Sequence, residues 1–323
     1  MTEMGDFNFL TRCFARTALR EVYRPSPDGF KLKRAICLAV AMAASMFSGM
    51  ALAAETQPDY EAEYQKWREA WLLSLRDDFG QLGVYRKANT SLPRKHGRRV
   101  VFFGDSITQG WDLAHYFPGK PYINRGISAQ TTSQMLLRFR QDVIALRPSA
   151  VMILAGANDL NGNTGPISNE AILSNYEAMA EAARMHGIKV IFATMLPAPH
   201  TVTAQSRFNM TRHPPERVQA LNALLKAYCR RQGLAVADYA QAMQGGDGLI
   251  RPELSGDGVH PNKEGYAVMA QLARGAIFKA LSPSKARMRK ARKQVHGFAT
   301  GSEGVNFRHH AAANYGRVLR RSD

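Results

Sequence analysis

Four short runs hold the residue types that acyl-transfer chemistry needs. The first is Val100-Val101-Phe102-Phe103-Gly104-Asp105-Ser106, with a serine just past an apolar stretch. The second is Asn124-Arg125-Gly126-Ile127-Ser128, and the third is Gly156-Ala157-Asn158-Asp159. The last, Asp257-Gly258-Val259-His260-Pro261-Asn262, stands near the C-terminal end. An ester hydrolase needs a nucleophile, a base, a group that orients the base and donors for an oxyanion. These runs can supply each. Ser106 would attack and His260 would take its proton. Asp257, three residues before His260, could fix the imidazole tautomer. The backbone N–H groups of Ser106 and Gly126 and the side-chain amide of Asn158 could hold the oxyanion. Each residue also has a plainer reading. Ser106 could cap a helix, His260 could lie on the surface, Asp257 could shape a turn between Gly256 and Gly258, and Asn158 could bond its own loop.

The elements between the runs decide whether these groups can meet. Short apolar stretches at Arg99–Gly104, Tyr122–Asn124, Ala150–Ala155, Ile188–Met195 and Leu234–Ala237 read as strands. Segments at Gln130–Leu146, Asn169–His186, Pro215–Gln232 and Lys263–Leu281 read as helices, with Pro148, Gly187 and Gly233 as stop signals. Strands apolar on both faces and each followed by a helix predict an α/β fold with a five-stranded parallel sheet covered on both sides, in flavodoxin-like order. Ligands of such sheets bind beyond the carboxyl ends of the strands. The first three polar runs fall at those ends, and the fourth precedes the last helix.

In order and spacing the four runs resemble the four blocks of the SGNH (GDSL) hydrolase family. The resemblance covers about Phe79 to Leu281. The stretch from Phe117-Pro118-Gly119-Lys120 through Gln130-Thr131-Thr132 also resembles bacterial relatives of the catalytic subunits of platelet-activating-factor acetylhydrolase. It implies a three-layer α/β/α sandwich and hydrolysis through an acyl-enzyme, with neither metal nor cofactor. By that resemblance Ser106, Gly126, Asn158 and His260 are the namesake residues and Asp257 is the triad acid. The chain departs from the pattern at Ile107, at Ala129 and at Ala157, where the family often has leucine, glycine and threonine.

Outside this region (99–281) the chain divides into three further parts. Residues 1–53 read as an export region. Lys31, Lys33 and Arg34 precede the apolar run Ala35–Met42, and Ala51-Leu52-Ala53 fits a cleavage site. This predicts a periplasmic or secreted protein; an uncleaved N-terminal membrane anchor is the alternative. Residues 54–98 read as a helix over Glu61–Gln81 followed by a linker at Ser91–Gly97. From Ser282 onward there are ten Lys or Arg and two acids, a large share of the net charge of +17. Such a tail reads as solvated and disordered, able to contact anionic envelope components but not specific for nucleic acid. Of the three cysteines, Cys13 and Cys37 precede the expected cleavage site, so Cys229 has no partner in a mature chain.

The leading expectation is therefore an exported serine esterase acting on small ester substrates, first of all acetyl esters of a glycan or lipid. A lysophospholipase or thioesterase is the enzymatic alternative. A cell-envelope binding protein attached by its basic tail is the non-enzymatic one. Asp105 and Asp159 are expected to hold turns. His115, His200 and His213 lack ligand spacing for a metal. The long connection Leu196–Arg217 is expected to line the substrate pocket.

Overall fold

Val100, Val101, Phe102 and Phe103 are all buried, and successive side chains of a strand face opposite ways. Val101 and Phe103 enter one core with Phe139, Ile172, Tyr176 and Leu221. Val100 and Phe102 enter another with Trp111, Tyr239, Met269 and Ile277. A strand that is apolar on both faces needs cover on both, which gives the three layers the sequence predicts. The computed structural model describes residues 58–93 and 97–282. The expected export region with its cleavage site, the tail beyond Ser282 and Arg94–His96 of the expected linker lie outside the described residues.

The strands are β1 (Val100–Gly104), β2 (Tyr122–Gly126), β3 (Ala150–Leu154), β4 (Lys189–Ala193) and β5 (Ala235–Ala237). They form one parallel sheet in the order β2-β1-β3-β4-β5, the flavodoxin-like order expected. Helices α1 (Tyr60–Ser74) and α2 (Arg86–Thr90) precede the sheet. After β1 come α3 (Ser106–Gln109) and α4 (Leu113–Tyr116), and after β2 comes α5 (Thr132–Asp142). Next are α6 (Ala157–Leu160) and α7 (Asn169–Met185) after β3, and α8 (Ala204–Arg212) and α9 (Pro215–Gln232) after β4. The chain closes with α10 (Tyr239–Met243) and α11 (Lys263–Leu281). Residues of α5, α7 and α9 supply one core, and those of α10 and α11 supply the other.

Helices α9 and α11 keep the expected bounds. Pro215 begins α9, and Gly233 ends it at φ 64°, a left-handed cap that glycine adopts without steric cost. Helix α5 is shorter than the apolar stripe suggests. Thr131 and Gln134 form a capping box that starts it. At its end Val143 leaves helical geometry, and a separate 3-10 turn spans Ile144–Leu146. Helix α1 stops at Ser74 rather than continuing to Gln81. Strand β2 runs on to Gly126, past the apolar stretch, because each residue from Tyr122 to Gly126 pairs with one of β1. The largest difference is α8, a nine-residue helix inside the expected loop. Its polarity hides it from an apolar-period reading, but Thr203 caps it reciprocally with Ser206.

Candidate active site

The turn after β1 is built around small residues and a cap. A Cβ on Gly104 would lie 2.2 Å from Thr108 Oγ1 and 2.5 Å from the carbonyl oxygen of Leu154, so no side chain fits there. Asp105 caps α3, accepting from the N–H of Ile107 at 3.1 Å. Ser106 is the first residue of that helix, where a backbone N–H has no intrahelical acceptor. Burial pushes the Asp105 carboxyl up to about 6, against the Ile107 hydrogen bond and the His260 charge. The expected turn-holding part for Asp105 is what this geometry describes.

The loop before α11 faces this turn. Ser106 Oγ–H donates to His260 Nε2 at 3.0 Å, and His260 Nδ1–H donates to Asp257 Oδ2 at 2.7 Å. The second bond fixes the tautomer that leaves Nε2 free to accept. The other oxygen of Asp257 accepts from the N–H groups of Val259 and His260, each at 2.8 Å, and from Ser255 Oγ–H at 3.2 Å. Burial alone would raise the Asp257 carboxyl, but the hydrogen bonds and charge of His260 and the Val259 N–H outweigh it, holding the carboxyl well below its usual range. In return the Asp257 hydrogen bond raises His260 above the ordinary imidazole value, against the lowering effect of burial. Asp257 is thus a turn residue and the orienting partner at once.

The other two runs arrive at the same sheet edge with one exchange of parts. The N–H of Gly126 donates to Asn124 Oδ1 at 2.8 Å, so it is committed within its own strand and does not serve as the expected oxyanion donor. Gly126 is needed for a different reason. A Cβ there would lie 2.1 Å from the backbone nitrogen of Gln109, and its absence lets β2 press against the helix that begins with Ser106. Three residues on, Ala129 holds φ 65°, and its N–H has no acceptor among the described residues. The preceding Ser128 N–H donates to Gln109 Oε1 at 2.6 Å, tying this turn to α3. Asn158 Nδ2 donates to the Gln130 carbonyl at 3.1 Å, which leaves its second amide hydrogen available. Asn163 Nδ2 joins the two loops, donating to Ala129 O at 3.0 Å and Asn158 Oδ1 at 3.1 Å. Asp159 accepts from the Thr132 N–H at 2.9 Å and from its hydroxyl at 2.6 Å, the structural part expected of it.

Several supporting residues carry no motif. Arg138 is wholly buried and pairs with Asp142 at 3.1 Å. It also donates to the carbonyl oxygens of Gly104 and Arg125, each at 3.0 Å. Its place on the apolar face of α5, one turn before Asp142, was the available signal. Asn209 of α8 donates to the Asp257 carbonyl at 2.9 Å, and Pro199 stands where a Cβ of Gly258 would be, 2.6 Å away. The Leu196–Arg217 connection therefore braces the loop of Asp257 and His260. It also lines a small cavity of about 20 Å³, whose wall includes Ile107, Ala157, Leu196, Pro199, His213 and Val259. His213 faces this apolar space, and burial depresses its imidazole to about 4, so it is neutral near pH 7. Among the described residues no cluster of three His, Cys, Asp or Glu side chains could hold a metal ion. Burial pushes the Cys229 thiol up to about 12, which makes it a packed core residue rather than a nucleophile.

Comparison with known proteins places the chain in a family. Residues 102–268 match the model of the GDSL-like lipase/acylhydrolase family. A GDSL-like lipase from Bacteroides thetaiotaomicron VPI-5482 is 39% identical, with a TM-score of 0.58, over 63% of this chain and 100% of that one. A structure assigned as an acylhydrolase from Bacteroides fragilis NCTC 9343 is also 39% identical, with a TM-score of 0.58, over 64% of this chain and 99% of that one. The uncharacterized lipoprotein YqeF of Bacillus subtilis (strain 168) is 33% identical across 30% of this chain. The match spans about half the length of that curated relative, 48%.

Proposed function

The chain belongs to the GDSL-like lipase/acylhydrolase family and is a carboxylic-ester hydrolase, and from that premise we propose that Ser106, His260 and Asp257 carry the reaction and that its acyl groups are short. The observation that carries the assignment is the continuous relay from Ser106 Oγ to His260 Nε2 at 3.0 Å and from Nδ1 to Asp257 at 2.7 Å. His260 takes the hydroxyl proton as Ser106 Oγ bonds to the ester carbonyl carbon. The negative charge moves to the carbonyl oxygen, where the N–H groups of Ser106 and Ala129 and the amide of Asn158 stabilise it. His260 then returns the proton to the leaving alcohol as the C–O bond breaks, giving an acyl-Ser106. Water, deprotonated by the same imidazole, releases the acid and restores the serine.

The acyl preference is supported by the cavity beside the triad. Its lining is mostly apolar and includes residues adjacent in sequence to Ser106, Asn158 and His260, yet its room of about 20 Å³ suits a methyl group. A p-nitrophenyl ester series from two to twelve carbons tests this. A steep fall in kcat/KM beyond about four carbons is expected, since each methylene that does not fit costs about 1–3 kcal/mol. A flat profile or a maximum at long chains points to a lipid groove instead.

We further propose that the enzyme acts after export. The basic, apolar and small-residue sequence of residues 31–53 supports this, as does the word lipoprotein in the name of the relative YqeF. Among the described residues no helix is long and apolar enough to cross a membrane. The mass of the cell-envelope form tests cleavage after Ala53; an intact residue 1–53 segment on the exported protein contradicts it.

A further inference from the structure

A second, larger cleft of about 480 Å³ lies beside the candidate active site, and its walls carry Arg68, Arg212 and Arg217. One wall is the segment Asp159–Gly162, which directly follows Asn158 in sequence. Another part of its wall is α1, through Tyr64 and Arg68. Asp159 is buried and turned to Thr132, from which it accepts. Glu61 pairs with Arg212 at 3.0 Å, from a side chain that is 58% exposed. Among the described residues Arg68 donates only to the Gly162 carbonyl, at 3.2 Å. Arg217 donates to the Ile167 carbonyl at 3.1 Å and to Asn169 Oδ1 at 3.4 Å. Arg212 lies over the Tyr64 ring, 3.5 Å from its centroid, and its Nε is buried without a partner. Each guanidinium has five N–H donors, so most donors around this cleft have no acceptor among the described residues. Planar guanidiniums that converge with spare donors match the oxygens of a carboxylate or phosphate.

We propose that this cleft receives an anionic group, a carboxylate or a phosphate, carried by the ester substrate away from the bond that reacts. The inference rests on Ser106 being the nucleophile of the ester hydrolase. The Asn158 loop then contacts both ends of the substrate. Its amide faces the oxyanion, and its following residues form the wall beside the anionic group. Such an ester gains affinity from the arginines, while a small neutral ester is hydrolysed without them.

The test compares three acetyl esters: an acetylated methyl glucuronoside, acetylglycerol phosphate and an acetylated methyl glucoside. The wild-type enzyme is expected to favour at least one anionic ester over the neutral glucoside by about tenfold or more in kcat/KM, the size of one charge-assisted hydrogen bond. The faster of the two anionic esters separates a uronate-bearing glycan from a phospholipid-like source. Arg68→Gln and Arg217→Gln should each remove most of that advantage through KM and leave p-nitrophenyl acetate hydrolysis unchanged, with Arg68→Lys restoring part of it. Equal rates on anionic and neutral esters overturn the proposal. So does a preference that survives both variants, or a loss that falls equally on p-nitrophenyl acetate. Failure to hydrolyse any ester, p-nitrophenyl acetate included, sinks the nucleophile assignment instead. Calorimetric titration with inorganic phosphate and with glucuronate then reads the cleft alone. Binding abolished by Arg68→Gln upholds it, and no binding to the wild-type protein ends it.

Discussion

Arg138 Nη2 donates to the carbonyl oxygen of Gly104 at 3.0 Å, two residues before Ser106. The same guanidinium donates to the Arg125 carbonyl at 3.0 Å and to Asp142 at 3.1 Å. One buried cation therefore joins the ends of β1 and β2, from which the nucleophile turn and the Ala129 turn both spring. Burial lowers its pKa to about 10 even with Asp142 beside it, so it stays charged near pH 7. Breaking one side of a buried ion pair strands the other charge, at about 3–5 kcal/mol. Arg138→Met is expected to lower the unfolding free energy by about that amount in a urea titration. A change below about 1 kcal/mol would mean that the pair contributes little beyond a hydrophobic replacement.

The pH profile follows from the Asp257–His260 pair. His260 must be neutral to accept the Ser106 proton, and its pKa lies above the ordinary 6.5 because Asp257 favours the protonated ring. The kcat/KM value should therefore rise with pH through a midpoint above 6.5. Asp257→Asn removes the hydrogen-bonded charge that causes the rise. The limb should shift to lower pH, while the plateau rate falls by roughly 10⁴-fold, the loss typical of a triad whose acid is replaced by its amide. A limb that does not move under Asp257→Asn contradicts the assignment of that titration to His260.

Asn158 and Gly126 should fail in different ways. Asn158→Ala removes a donor to the developing oxyanion and should cost about 10²–10³ in kcat with little change in KM. Gly126→Ala inserts a Cβ 2.1 Å from the Gln109 backbone nitrogen, so it should damage folding, seen as a lowered Tm. Ala129→Gly, by contrast, relieves a φ of 65° and should keep both activity and stability, because glycine adopts the left-handed region freely. A large rate loss from Ala129→Gly with the Tm intact would show that its methyl group, not only its N–H, shapes the site.

The sheet was legible because its signal is dense. Val100–Phe103 and Val151–Leu154 are apolar without a break, and only a strand covered on both faces buries every such residue. The meeting of Ser106 with His260 was legible for a related reason, since the parallel sheet brings the loops after its strands to one edge. What the sequence hid were contacts made by polar residues outside any motif. Ser255 and Asn209 hold the Asp257 loop, and neither has a periodic neighbour to mark it. Gly126 reads as an oxyanion donor because a glycine advertises close approach but not which neighbour approaches. Here the neighbour is the Gln109 backbone, and the free N–H belongs to a residue whose type gives no hint of its positive φ. Helix α8 has few buried residues, so no apolar stripe announces it.

The most direct measurement is the initial rate of p-nitrophenyl acetate hydrolysis by the wild-type protein and by Ser106→Ala, each shown by circular dichroism to be folded. With Ser106 as the nucleophile, the variant should lose at least about 10³-fold in kcat, leaving only what binding and the oxyanion donors supply. Equal rates from the two proteins would place the chemistry elsewhere.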